Sequence, residues 1–247
     1  MRARIGWELA LVLGVSLGKS AVYSVLSIID RLTRSEPLAR QTSTLNQSVT
    51  ADRPWLDLAY QLFNIAFALV PVLLALHLLS DSFVKSGRLI GFDLRRPRFD
   101  LGLGALIAAG IGVPGLGLYL GARELGLNTE VQASGLNDYW WTVPVLVLAA
   151  AHNALLEQVV MIGYFYNRTA QLRWSVPLMV LTSALIRGSY HLYQGFGGFV
   201  GNLIMGAIFG LIYLRVRRLW PLVVAHTLLD VSAFVGYALL ATRVSWL

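Results

Sequence analysis

The sequence predicts an all-α fold, a polytopic integral membrane helical bundle of about seven transmembrane helices, with a range of roughly six to eight. Three observations carry this. Hydrophobic residues make up 56% of the chain and charged residues only 13%, with a mean hydropathy of +0.63; a water-soluble domain carries about twice that charge. The apolar residues fall in long blocks, each near the roughly 20 residues that a helix needs to cross a bilayer. The segments between the blocks are polar and hold most of the charge. There is no cysteine, so a disulfide framework, a thiolate metal site and a cysteine nucleophile are all excluded. The net charge of +7 is almost entirely arginine. In a membrane chain this points to loops lying against anionic lipid head groups and not to nucleic acid.

Taken in order, MRAR leads into residues 5–29, an apolar run without a small-residue cleavage site, expected as an uncleaved first span. Further spans are expected at 56–80, 101–122, 142–166, 175–193, 198–215 and 219–241. Loop 30–55 is the longest extramembrane segment, with room for a short interfacial helix. Loop 81–100, with GFDLRRPRFD, is the most basic. No repeat and no soluble domain interrupt the pattern, so residues 1–247 read as one membrane domain. Basic residues divide unequally between the two faces. Arg2 and Arg4, the Lys85–Arg98 stretch, Arg168 with Arg173, and Arg215 with Arg217 and Arg218 fall on one side. Arg31, Arg34, Arg40, Arg53, Arg123 and Arg243 fall on the other, a two-to-one excess. The basic side is the cytoplasmic one by the positive-inside rule, which puts the N-terminus in the cytoplasm and the chain in the cell membrane.

Polar residues inside the spans are the candidates for function. Lys19 lies in GVSLGKS, one residue short of a phosphate-loop spacing and inside an apolar helix, which argues against nucleotide binding. His77 is expected to be a packing residue. Glu157 stands out: a charge deep in an apolar helix costs on the order of 2.5–3.5 kcal/mol and faces a protein interior or a wet cavity. Asn153 precedes it by four residues and shares its face, whereas His152 splays away. Arg187 and His191 are four apart on the next span, and His226 and Asp230 are four apart on the last. Counting residues from the helix turns brings Glu157, His191 and His226 to one level, expected in the inner half of the bilayer. Asn202 adds a further polar group.

One carboxylate and two imidazoles, without an activated Ser, Thr or Cys, favour water as nucleophile with acid–base help. The alternative is a proton or ion pathway using the same residue types. No H-E-x-x-H, G-x-G-D or G-x-S-G signature occurs in the sequence. Glu157, His191 and His226 also make a conceivable zinc set, though the same groups can hold water without a metal.

The order Glu…His…His-x-x-x-Asp resembles the CPBP family, the type II CAAX endopeptidases and bacteriocin-processing membrane proteins, whose three motifs are EExxxR, FxxxH and HxxxN/D. Glu157-Gln158 with Gly163-Tyr164 is similar to the first, Arg187 to His191 to the second and His226 to Asp230 to the third. GFDLRRPRFD and RGSYHLYQGFGGFVGN resemble actinobacterial members, and the likeness spans residues 85–235. It implies that Glu157 is the general base, that His191 orients the water, and that His226 with Asp230 forms an oxyanion site. Asp230 would hold His226 as a donor. A membrane-embedded or lipid-anchored peptide would be the substrate, with cleavage near the cytoplasmic face. The departures are Gln158 for the second Glu, Ile162 for the motif Arg and Arg187 for the motif Phe. Arg187 is expected to restore the positive charge lost at Ile162, by pairing with Glu157 or a substrate carboxylate. A non-catalytic scaffold, an immunity-type protein or a proton-coupled transporter are the alternatives.

Overall fold

The computed structural model describes residues 2–241; Arg243 lies outside them. The chain enters as α1 (Arg2–Gly14) and α2 (Leu17–Leu32), which meet at a 52° bend. Ser16 Oγ donates to the Val12 carbonyl at 2.5 Å, and a Gly–Ser pair such as Gly14 and Ser16 is a common cause of a kink. α3 (Pro54–Ala68) and α4 (Val70–Leu79) follow as one apolar rod, then the short α5 (Phe83–Leu89) and the long α6 (Pro97–Glu124). α7 (Thr142–Glu157), a π-helical turn (Gln158–Tyr164) and α8 (Phe165–Gln171) form a single rod of 30 residues. Its most apolar stretch is 61% buried, against 17–28% for the other long helices, so it is the centre of the bundle. α9 (Val176–Tyr190), α10 (Phe196–Val216) and α11 (Trp220–Leu240) pack around it.

Among the described residues five helices are long and apolar enough to cross a membrane, or six if the bent α1–α2 pair counts as one span. Six lies within the expected range of six to eight; the count of seven is not confirmed, and the span that falls short is the one predicted at 175–193. α9 has only 15 residues, roughly 22 Å of helix against a hydrocarbon core of about 30 Å. It stops because the chain turns at 191–195, ending on Gly195 at φ +114°. A Cβ at Gly195 would sit 2.6 Å from the Leu127 carbonyl oxygen, so both the backbone angle and the close approach select glycine.

A turn packed against the protein needs partners for its backbone groups. They come from two loops that fold down onto it. β1 (Thr42–Thr44), in loop 30–55, pairs in parallel with β2 (Glu130–Gln132), in register Thr42 with Glu130 and Thr44 with Gln132. Loop 30–55 therefore holds this strand and a 3₁₀ turn at Leu38–Arg40. Thr129 donates its backbone N–H and its hydroxyl to the Gln194 carbonyl, and the same hydroxyl meets Ser43 Oγ at 2.8 Å. Ser43 Oγ in turn donates to the Tyr193 carbonyl, and the Tyr193 N–H to Ser24 Oγ. Asn128 Oδ1 accepts the Gly198 N–H at 2.9 Å, satisfying a free donor in the first turn of α10. The α9–α10 turn is thus clamped from above by a polar cap.

The opposite face is pinned by Arg218, between α10 and α11. Its guanidinium grips Asp100 through two bonds of 2.7 and 2.6 Å and also reaches Asp93. Gly91, at φ +67°, allows loop 90–96 to touch the same turn and accept the Leu219 N–H. Burial works against ionisation of Asp93, but the Arg95 backbone N–H and the Arg218 guanidinium outweigh it and hold its carboxyl below the usual range.

Candidate active site

Glu157 closes α7, and the chain widens at once into the π-helical turn. In a regular α-helix adjacent residues point roughly 100° apart. Here Glu157 and Gln158 both approach the imidazole of His226 on α11. Gln158 Nε2 is 2.9 Å from His226 Nδ1, and Glu157 Oε2 is 4.0 Å from His226 Nε2. π-turns of this kind are frequent at functional sites.

Glu157 Oε2 is held twice from α9: Arg187 Nη1 lies 2.8 Å away, and Tyr190 donates its hydroxyl at 2.8 Å. The pair is dry, with side chains 10% and 3% exposed. The Glu157 charge is therefore compensated within the protein, as a buried ion demands. Arg187 Nη2 also lies 3.5 Å from His226 Nε2, and the guanidinium stands over the Phe209 ring. Gly206 on α10 makes this possible, since a Cβ there would press on Arg187 Cδ at 3.0 Å and on Ala184 Cα at 3.1 Å. The small residue lets α10 approach α9 closely. The second oxygen, Glu157 Oε1, takes no hydrogen bond from the described residues.

His191 caps α9, with Nδ1 3.1 Å from the Arg187 carbonyl. A carbonyl only accepts, so Nδ1 carries the proton and, in the neutral ring, Nε2 keeps the lone pair. Asp230 Oδ1 lies 3.5 Å from His226 Nε2, and its Oδ2 lies 3.5 Å from Asn153 Nδ2. Asn202 donates to the Gly198 carbonyl of its own helix.

Glu157, Arg187, His191, His226, Asp230, Asn153 and Asn202 line one cavity of about 560 Å³, within the size range of small-molecule and peptide-side-chain sites. Gln158 sits behind it, fully buried beneath His226. Met205, between Arg187 and Asn202, adds an apolar wall. His152 and His77 do not line the cavity, and His77 is exposed on α4 and not packed as expected. Ile162 is buried in the apolar core, so a charge at that position would be far from welcome.

Glu157, His191 and His226, which residue counting puts at one level, line the same cavity. Glu157 is near the middle of its 30-residue rod, and the void extends from it toward the polar cap. Its lining comes from the C-terminal half of α6, the middle of α11, the N-terminal half of α10, and cap residues Leu45, Asn46, Val131 and Ala133. None of loops 81–96, 172–175 and 217–219 contributes to it.

Tyr190 is the functional contact that the sequence reading missed. It stands beside His191 in the sequence, and helical spacing alone gives neighbours different faces. The end of α9 at that point is what turns both rings toward the site, 4.7 Å apart. As for metals, the described residues contain no group of three His, Asp or Glu placed to hold an ion.

No curated protein and no solved structure matches this chain. One family does. Its pattern covers α7, α8, α9, α10 and the part of α11 that carries His226 and Asp230. Residues 139–232 match the model of the Rce1-like family, described as type II CAAX prenyl endopeptidase Rce1-like, so this part of the chain is similar to that family.

Proposed function

We propose that this protein is an intramembrane endopeptidase of CAAX type that hydrolyses peptide bonds of membrane-embedded or lipid-anchored substrates. The observation that carries the reading is the asymmetry of Glu157. One oxygen is fixed by Arg187 and Tyr190, while the other takes no protein partner in a cavity shared with His191 and His226. Water between Oε1 and the His191 Nε2 lone pair is activated as Glu157 takes its proton. The oxygen attacks the scissile carbonyl, and the resulting oxyanion is met by donors from His226 and Arg187. Glu157 then passes the proton to the leaving amine, and the C–N bond breaks. Asp230 orients His226. Gln158 supports the ring from behind, and its amide can turn to serve either tautomer, where an ionised glutamate could only accept. The donor set favours chemistry on water without a metal.

The second reading is a non-catalytic member, motivated by Gln158 and Ile162 in place of the charged motif residues. Arg187 answers the loss at Ile162, since its guanidinium reaches both Glu157 and His226. A transporter is disfavoured because none of loops 81–96, 172–175 and 217–219, at the other end of the bundle, lines the cavity. Purified protein incubated with membrane-anchored peptides, with products identified by mass, separates the readings. Cleavage that disappears in the Glu157→Gln and His191→Gln variants supports the endopeptidase. Intact peptides across the panel would leave the scaffold.

A further inference from the structure

A second groove lies outside the active-site cavity, and no residue lines both. It has a volume of about 410 Å³ and forms where the bend between α1 and α2 faces the interruption of the α3–α4 rod at Leu69. Ser16, Lys19 and Ser20 line one wall and Phe67 and Pro71 the other, with Leu156 of α7 between them. Lys19 is exposed there. It stands 17 residues after Arg2 and 12 before Arg31, roughly 25 and 18 Å of helix, so it falls near the middle of a bent span. Its four-carbon stem cannot carry the ammonium to head groups roughly 15 Å away. A lysine held at that depth calls for an acidic partner.

No carboxylate among the described residues answers it. Lys19 Nζ stands 5.9 Å from the centroid of the exposed Tyr23 ring and makes neither a hydrogen bond nor an ion pair with the described residues. The acids nearest in sequence are engaged elsewhere, Glu8 by Arg4 and Arg168 and Asp30 by Arg34. Glu157 and Asp230, the carboxylates at span depth, face Arg187 and His226. We propose that the groove docks a transmembrane helix of a different protein, one that carries Asp or Glu near its midpoint, with Lys19 as the counter-ion. Three features select this occupant. A lipid phosphate or a fatty-acid carboxylate keeps its charge at the head-group level, away from mid-bilayer. A second copy of this chain brings no free acid at that depth. Ser16 and Ser20, four apart, both line the groove and give it a small-residue face that a helix backbone can approach closely. The proposal is independent of the endopeptidase reading, although Leu156 sets the occupant against the rod that carries Glu157.

The absence of cysteine allows a single fluorescent label at Ser35→Cys, in the exposed loop after α2 and outside the groove. The full chain is reconstituted in phosphatidylcholine vesicles and titrated with labelled polyleucine peptides of about 20 residues, identical except for a central Glu or Gln. Energy transfer reads association. The Glu peptide is expected to bind about tenfold more tightly than the Gln peptide. Lys19→Met should abolish that preference and Lys19→Arg should keep it, while Ser20→Leu, which fills the groove, should weaken both peptides. If Lys19→Met fails to fold, judged by its melting temperature in detergent, the Lys19→Arg and Ser20→Leu arms decide. Equal affinity for the two peptides, or a preference that survives in folded Lys19→Met, overturns the proposal. So does Lys19-dependent binding of oleate without a preference for the Glu peptide, which assigns the groove to a fatty acid. Lys19-dependent transfer between two labelled copies without that preference assigns it to self-association and overturns the proposal as well.

Discussion

Removing either member of the Glu157–Arg187 pair leaves the other as an uncompensated charge in a dry site, at a cost of about 3–5 kcal/mol. Thermal unfolding in detergent should therefore show Arg187→Met as strongly destabilised. The double variant Glu157→Gln/Arg187→Met should recover much of the loss, since it removes both charges. Additive losses would mean that the two side chains do not pair. Arg187→Lys should retain part of the stability but not the activity, because a single ammonium cannot span Glu157 and His226 as the guanidinium fork does. Tyr190→Phe removes a hydrogen bond to a charged oxygen, worth about 1.5–3 kcal/mol, and the same unfolding measurement checks it. At this scale the sequence was informative where spacing decides geometry. Arg187 and His191, or His226 and Asp230, share a face because they are four apart on helices. Tyr190 and the Gln158–His226 contact were hidden, since one depends on a helix end and the other on a π-turn that no residue pattern announces.

Among the elements, the short α9 and the cap that receives it decide where the site lies. The break between the expected spans 175–193 and 198–215 falls within a few residues of the turn, but the early end of α9 and the cap that receives it were not legible. The strands of the cap are three residues each, TST and EVQ, in loops whose composition is polar throughout; no alternation marks them. Gly195 is the exception, and its role is open to test. Gly195→Ala should loosen the cap, because the backbone angle is unfavourable for alanine and its Cβ meets the Leu127 carbonyl oxygen. Faster amide hydrogen exchange confined to residues 127–132 and 191–198 is the expected readout. At the other face, the lowered carboxyl of Asp93 stabilises the fold above the unfolded-state pKa near ~3.9. That contribution is lost as pH falls through the lower folded value. Acid unfolding of Asp93→Asn should lack this component, which a comparison of melting temperature against pH would reveal.

For the molecule as a whole, composition gave the membrane class directly, because apolar fraction and charge are sums that no local error disturbs. The count of spans depended on where each helix ends, and the 15-residue α9 is the one expected span too short to be counted. The resulting arrangement is a central buried rod carrying Glu157, surrounding helices carrying its partners, and a cavity between them that residues of the cap also line. The most direct test of its chemistry is the rate of peptide-bond cleavage by protein reconstituted in liposomes, compared among wild type, Glu157→Gln and His191→Gln. The histidine variant leaves the Glu157–Arg187 pair in place, so it reads chemistry even if the glutamate variant folds poorly. Both are expected to lose about 10²–10⁴-fold in rate. A folded variant of either residue that cleaves at the wild-type rate would contradict the account.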